Sequence, residues 1–307
     1  ASIYCQYFNS IPNKELGLRK LKEVYIKTFI TKDDRISLQG LFKSKDKVFP
    51  SNSIDLILTS PPYADKRGKN YNTITEKDYV EWFLTISKEL LRVLKKDGSF
   101  ILNIKEGIKN HERKTYVLEL ILALKKQGWL WLEEYHWVKT NSFPGSWQTH
   151  FRDGWERCLH FSKTKDINFY KENVKVPIGE WSIKRFENKI TNHDKSRHYS
   201  NTNSGFSRQV DNWSGKNSVD PDNVLAFATE SSNKRHSAAF PVALPAWFIK
   251  LLTKKNDLVI DPFIGSGTTA IAAKSLNRSY IGIDILKKNV KIANERLKEQ
   301  TLQSPSP

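Results

Sequence analysis

Methionine is absent from all 307 residues, and cysteine occurs only twice, at Cys5 and Cys158. Two cysteines so far apart give neither a disulfide framework nor the paired spacing of a zinc site. A reduced, cytoplasmic setting without a metal ligand set is therefore expected. No apolar run approaches the roughly 20 residues needed to span a bilayer, and Ala1 to Pro12 has no basic start followed by an apolar stretch. Acidic residues are also scarce: 33 Asp and Glu stand against 50 Lys and Arg, a formal charge of +17. With hydrophobic residues at 38% and aromatics at 12%, the chain fits neither a disordered nor a membrane class. The basic excess suits a polyanionic partner, because neutralising phosphates releases counterions, but by itself it fits a basic soluble enzyme as well.

What is present alternates. Ser53 to Leu58 is a β-branched apolar run that must stop at Pro61-Pro62, since paired prolines cannot continue a sheet ladder. Val80, Phe83, Leu84, Leu90, Leu91 and Leu94 have helical spacing, which predicts a helix from Asp78 to Lys96 stopped by Gly98. Ser99 to Ile104 reads as a strand, Tyr116 to Lys126 as a helix closed by Gly128, and Trp129 to Val138 and Cys158 to Ser162 as strands. Residues 163–230 break this rhythm with Asn, Ser, Lys, Arg and isolated aromatics, as a long polar loop region or a small module would. Pro241 to Thr253 is helix-like, Asp257 to Ile260 a strand, Thr268 to Leu276 a helix, Ser279 to Ile283 a strand and Lys287 to Lys298 a closing helix. Strands alternating with helices imply an α/β fold with a mostly parallel sheet covered on both faces.

Two loops carry chemistry. Leu258 to Thr269 reads LVIDPFIGSGTT: an apolar strand, an acidic residue at its carboxyl end, a glycine turn and a small-residue helix. Ligands bind at the carboxyl ends of strands in open α/β sheets, and glycines let the backbone approach them. Asp284, seventeen positions after Gly267, ends the next strand where a carboxylate can accept from ribose hydroxyls. Gly265 to Ala270 also fits a loose dinucleotide pattern, which leaves an NAD-dependent dehydrogenase open. Asp261 speaks against it: a pyrophosphate is repelled by a carboxylate, whereas S-adenosyl-L-methionine, with its amino group and sulfonium, gains from one.

The second loop is Ser60-Pro61-Pro62-Tyr63, also at a strand end. A Pro-Pro-Tyr triplet alone is an ordinary turn or a proline-rich ligand. At this place it suits an exocyclic amine, whose lone pair is delocalised into its ring until acceptors draw the nitrogen toward tetrahedral geometry. The Ser60 hydroxyl and the Pro61 carbonyl are such acceptors, and the prolines preorganise them. Tyr63 can stack on a base flipped out of a duplex.

TSPPY together with DPFIGSGTT resembles the DNA amino-methyltransferases that act on cytosine N4 or adenine N6, and the catalytic loop preceding the cofactor loop resembles their permuted beta class. The resemblance extends over residues 50–298. It implies a Rossmann-like methyltransferase sheet, S-adenosyl-L-methionine as cofactor, double-stranded DNA as substrate and a cognate restriction endonuclease as a potential partner. The residues it implies are Ser60, Pro61, Pro62 and Tyr63 for catalysis, and Asp261, Pro262, Phe263, Gly265, Ser266, Gly267, Thr268 and Asp284 for the cofactor. The segment His236 to Pro241, with Leu244-Pro245, is similar to the stretch that packs over the cofactor, through Phe240 and Pro241. Ser before Pro-Pro favours cytosine N4 over adenine N6. One departure is that Gly40-Leu41 stands where the family often has Gly-Asp.

Around the catalytic loop, Lys66, Arg67 and Lys69 are candidates for a phosphate clamp, and Lys184, Arg185, Arg197 and Arg208 for base recognition. The expected layout is an unassigned extension (1–35), a catalytic half (36–162), a target-recognition region (163–230), a cofactor-binding half (231–300) and a disordered tail (301–307). A carbon-5 cytosine enzyme is disfavoured, because it needs a nucleophilic thiolate, usually after proline, whereas Cys5 follows Tyr4 and Cys158 follows Arg157. A non-catalytic DNA-binding relative is disfavoured by the intact SPPY loop.

Overall fold

The computed structural model describes residues 27–28, 49–65, 74–142, 144–145, 148–180, 216–230 and 240–303, without the side chains of 27–28 and 300–303. The chain divides into two compact units, residues 1–170 with 223–307, and residues 171–222.

The larger unit is built on an eight-stranded sheet. In chain order its strands are β1 (Lys27–Thr28), β2 (Ile54–Thr59), β3 (Leu94–Ile104), β6 (Leu130–Lys139), β7 (Trp155–Ser162), β10 (Val224–Phe227), β11 (Leu258–Asp261) and β12 (Ser279–Asp284). A separate small hairpin pairs β4 (Ile108–Lys109) with β5 (Glu112–Arg113). Across the sheet the order is β1-β12-β11-β2-β3-β7-β6-β10. Every neighbouring pair is parallel except those of β7, which runs against both β3 and β6. All six residues of β2 are buried, as befits a strand covered on both faces.

Among the described residues the helices are α1 (Glu76–Val93), α2 (Tyr116–Gln127), α3 (Ala243–Leu252), α4 (Thr268–Ser275) and α5 (Lys287–Gln303). In α1, Tyr79, Phe83, Ile86, Leu90 and Val93 recur every three to four positions and are buried. With Tyr116, Leu120 and Leu124 of α2 they form a core over Ile57, Phe100, Leu102, Leu159 and Phe161. Side chains of alternate parity point to the other face, where Tyr135 meets Phe248 of α3 at 5.2 Å between ring centroids.

The expected end of the first helix is corrected. It stops at Val93, not Lys96, and Gly98 lies inside β3 rather than acting as a stop. Lys95 turns its Nζ to Asp55 Oδ1 at 2.5 Å. A side chain at position 98 would bring Cβ to 2.8 Å from the Asp55 carbonyl oxygen, so glycine is needed where β2 and β3 shift register. The stop predicted at Gly128 is present, with φ 111° closing α2. Helix α5 runs on to Gln303, past the expected Lys298 and into the stretch read as a disordered tail.

Lys27–Thr28 pairs with Ile283–Asp284, so the N-terminal stretch contributes an edge strand. Val224–Phe227 joins the sheet beside β6, and the separate unit covers 171–222. Within that unit, β8 (Val176–Pro177) pairs with β9 (Ser218–Val219), and Lys171 meets Asp220 at 3.0 Å. Among the described residues no helix is long and apolar enough to cross a membrane.

Candidate active site

Strand β11 lies between β12 and β2, with Val259 opposite Leu56 and Ile260 opposite Ile57. That neighbourhood joins the two loops singled out in the sequence. The Thr59 hydroxyl, one residue before Ser60, donates to Asp261 Oδ1 at 2.5 Å. Thr269 donates to Oδ2 at 2.6 Å, and the Phe263 amide to Oδ1 at 3.0 Å. Asp261 is 2% exposed, and its burial pushes the carboxyl up to about 6 against the pull of these donors. A carboxylate expected to face a ligand thus also ties the catalytic strand to the glycine turn.

Asp284 is engaged in the same way. Its oxygens accept from the Gly265 amide at 3.0 Å, the Leu286 amide at 2.8 Å and Asn289 Nδ2 at 3.0 and 3.1 Å. Burial raises this carboxyl too. Two buried carboxyls thus stand at adjacent strand ends, each accepting from a backbone amide of the glycine turn.

The turn itself takes the left-handed conformation at Gly265 (φ 52°) and Gly267 (φ 89°). A Cβ on Gly267 would stand 2.7 Å from Ala293 Cβ, so α5 packs against the turn from behind. Arg296 of the same helix donates from Nη1 to the Ser266 carbonyl at 2.8 Å and to its hydroxyl at 3.0 Å, and reaches Thr268 Oγ1 at 3.3 Å. Pro262 and Phe263 continue from the strand end, and Phe263 meets Trp82 at 5.8 Å. Phe240 and Pro241 are buried at the approach to α3.

The catalytic loop is pinned through Pro62 and Tyr63. Tyr79 donates to the Pro62 carbonyl at 2.9 Å. Tyr63 Oη donates to Glu156 Oε2 at 2.6 Å, and Lys139 Nζ holds Oε1 of the same carboxylate at 2.6 Å. Burial, then the Glu156 charge, raises the Tyr63 phenol well above its ordinary value, so it stays protonated and remains a donor. Tyr116 donates to the Lys105 carbonyl at 2.5 Å and packs on Tyr79 at 4.7 Å. Beside it, Lys105 lies 3.8 Å from the centroid of the Trp155 ring and 3.3 Å from Asp153.

Sequence reasoning missed Thr59, Thr269, Glu156, Lys139, Asn289 and Arg296. Thr59 and Thr269 lie inside the TSPPY and DPFIGSGTT runs and were within reach, whereas the others act across the sheet or from α5. The basic candidates Lys66, Arg67, Lys69, Lys184, Arg185, Arg197 and Arg208 lie outside the described residues, as do His236 to Ala239, Gly40-Leu41 and Cys5. Cys158 is buried, accepts from Asn103 Nδ2 at 3.6 Å, and has its thiol pushed up by burial, which is the opposite of an activated thiolate.

A mostly parallel sheet with one reversed strand, joined to a strand-DPF-glycine turn and an SPPY loop at one edge, defines the methyltransferase fold class. A family model described as DNA methylase, for N6/N4 methyltransferases, matches residues 54–295. The chain belongs to this family, and its motif order is that of the beta class. It is 28% identical over 268 residues to the type II methyltransferase M.PvuII of Proteus hauseri, covering 77% of this chain and 76% of that protein. Among solved structures, the PvuII DNA methyltransferase (cytosine-N4-specific) is similar at TM-score 0.64 and 23% identity, over 89% of this chain and 86% of that one. The M1.HpyAVI–SAM complex is similar at TM-score 0.54 and 20% identity, over 90% and 99%. The dinucleotide reading of Gly265 to Ala270 gives way to this membership.

Proposed function

We propose that the protein transfers a methyl group from S-adenosyl-L-methionine to the exocyclic N4 of a flipped-out cytosine in double-stranded DNA. The observation that carries this reading is the Thr59–Asp261 hydrogen bond, which sets the amine-binding loop beside the glycine turn. When bound, S-adenosyl-L-methionine supplies a methyl group already activated by its sulfonium. The chain's own work is binding and positioning. Phe240, Pro241, Pro262 and Phe263 bracket the cofactor, Gly265, Ser266, Gly267 and Thr268 let it approach the backbone, Asp261 provides a negative field, and Asp284 accepts from the ribose hydroxyls. The Ser60 hydroxyl and Pro61 carbonyl accept from the target amine, Pro62 keeps the loop rigid, and Tyr63 stacks on the base.

Cytosine N4 is supported by Ser60 and by the likeness to the PvuII DNA methyltransferase, which is itself cytosine-N4-specific. Residues 36–162 serve as the catalytic half and 231–300 as the cofactor half. Lys66, Arg67 and Lys69 clamp phosphates, while Lys184, Arg185, Arg197 and Arg208, in the target-recognition region, read bases. The type II methyltransferase name of the relative supports a modification role, which the protein would fill in the cytoplasm beside a cognate restriction endonuclease.

The test is to incubate the protein with mixed-sequence plasmid DNA and isotope-labelled S-adenosyl-L-methionine, digest to nucleosides and weigh the product. Label in N4-methylcytosine is expected. Label in N6-methyladenine alone would move the target to adenine, and an unlabelled digest would overturn methyl transfer. Sequencing the protected sites maps the recognition sequence.

A further inference from the structure

The described residues between β6 and β7 (140–142, 144–145 and 148–154) include a side chain that the fold places in no core. Because β7 runs against β3, with Arg157 opposite Ile104, this loop opens at the edge where β2 releases Ser60 to Tyr63. Phe151 is 94% exposed there, and most of a phenyl ring left in water is burial that the folded chain forgoes.

Its neighbours, by contrast, are anchored. Thr149 Oγ1 meets His111 Nδ1 at 3.0 Å, and Arg152 Nη1 donates to the Ser142 carbonyl at 2.6 Å. Asp153 is held by Arg113 at 3.0 Å and Lys105 at 3.3 Å. The hairpin that bears His111 reaches the catalytic loop through Lys109, whose Nζ is 3.5 Å from Asp65, two residues beyond Tyr63. An exposed aromatic next to the exposed cation Arg152, and tied through Thr149 and His111 to the hairpin that carries the exposed Lys109, matches a duplex: a ring for the base stack and charge for its phosphates.

We propose that Phe151 is a wedge that enters the DNA stack where the target base leaves, with Lys109 and Arg152 on the adjoining phosphates. The proposal rests on the reading of Ser60 to Tyr63 as the base-methylating loop. A phenyl ring in the vacated space offsets the stacking lost on flipping, so its contribution is largest when the target is paired and smallest when pairing is already absent.

The test compares wild type, Phe151→Ala and Phe151→Trp in single-turnover methyl transfer. Two duplexes carry the mapped site, one fully paired and one with an abasic position opposite the target. Phe151→Ala is expected to slow transfer about tenfold or more on the paired duplex and about twofold or less on the abasic one, while Phe151→Trp stays near wild type. Unchanged melting temperature and cofactor affinity accompany that result. Equal loss on both duplexes, or no loss on the paired one, would overturn the wedge. So would a change in oligomeric state with transfer unaffected, which would assign the ring to a second copy of this chain. Wild type that methylates neither duplex would overturn the proposed function and the wedge with it.

Discussion

Tyr63 and Glu156 are joined by a 2.6 Å hydrogen bond that fixes the aromatic ring of the catalytic loop to the start of β7. Lys139, on the neighbouring strand, neutralises the same carboxylate, so the acceptor keeps its place without an uncompensated buried charge. Glu156 thereby acts as a positioning residue for Tyr63. Glu156→Gln keeps the shape but removes the charge, and is expected to lower the single-turnover rate about tenfold with cofactor affinity unchanged, the loss expected for a charge-assisted bond of about 1.5 kcal/mol. In a Tyr63→Phe background the same change should add little. Additive losses would show that the two side chains work separately.

Asp261 is expected to make cofactor binding depend on pH. Its folded-state value of about 6 means that the carboxyl is largely protonated below that pH, whereas a cation at the turn favours the carboxylate. Affinity for S-adenosyl-L-methionine should therefore rise as pH increases through about 6 and level off by about 7. Without ligand the slope reverses: a raised carboxyl value stabilises the fold at low pH, and that contribution is lost between about 4 and 6. Asp284 and Asp257, also raised by burial, act on stability in the same direction. Isothermal titration across this range, with Asp261→Asn as control, checks the slope, which should flatten in the variant.

Gly267→Ala meets two obstacles at once, a φ of 89° and the Ala293 Cβ at 2.7 Å. A loss of about 2 kcal/mol or more in stability is expected, with cofactor binding lost beyond what the melting temperature accounts for. Ala293→Gly removes the 2.7 Å contact but leaves the Ala293 Cα at 3.0 Å and the left-handed backbone, so a partial rescue in stability is the expected result of the double variant. Full rescue would show that the left-handed backbone is not a constraint.

Gly98→Ala separates fold from site. The clash is with a backbone carbonyl at the start of β2, opposite to the edge that carries Ser60 and Asp261. A destabilisation of about 1–3 kcal/mol in denaturant unfolding is expected, with cofactor affinity of the folded protein unchanged. A shift in that affinity would show coupling through β2.

Cys158→Ala should retain methyl transfer, because the thiol is buried, protonated and bonded to Asn103. The expected cost is about 1 kcal/mol of stability from a small cavity. Loss of activity in a variant that melts normally would revive thiolate chemistry.

Much of the site could be read locally. A buried β-branched run halted by two prolines, and a strand leading through Asp261 into a glycine turn, are decided by neighbours within a few positions, since period, turn chemistry and proline geometry are properties of short segments. The α/β alternation and the helix stop at Gly128 followed from the same local rules. The order of those loops required the N-terminal half to complete the sheet.

Tertiary structure decided what satisfies each buried charge. Asp261 takes its hydrogen bond from Thr59, 202 residues earlier, because β11 inserts beside β2, and no local pattern encodes that adjacency. Glu156, Lys139 and Arg296 read as ordinary polar positions until strand order and α5 bring them to the loops. The end of α1 at Val93 is likewise a tertiary outcome: the helical apolar spacing continues to Leu94, but pairing with Ile54 draws that residue into the sheet. Sequence by itself determined which side chains have the chemistry. The fold determined which of them are buried together, because desolvation and hydrogen-bond satisfaction depend on neighbours in space rather than along the chain.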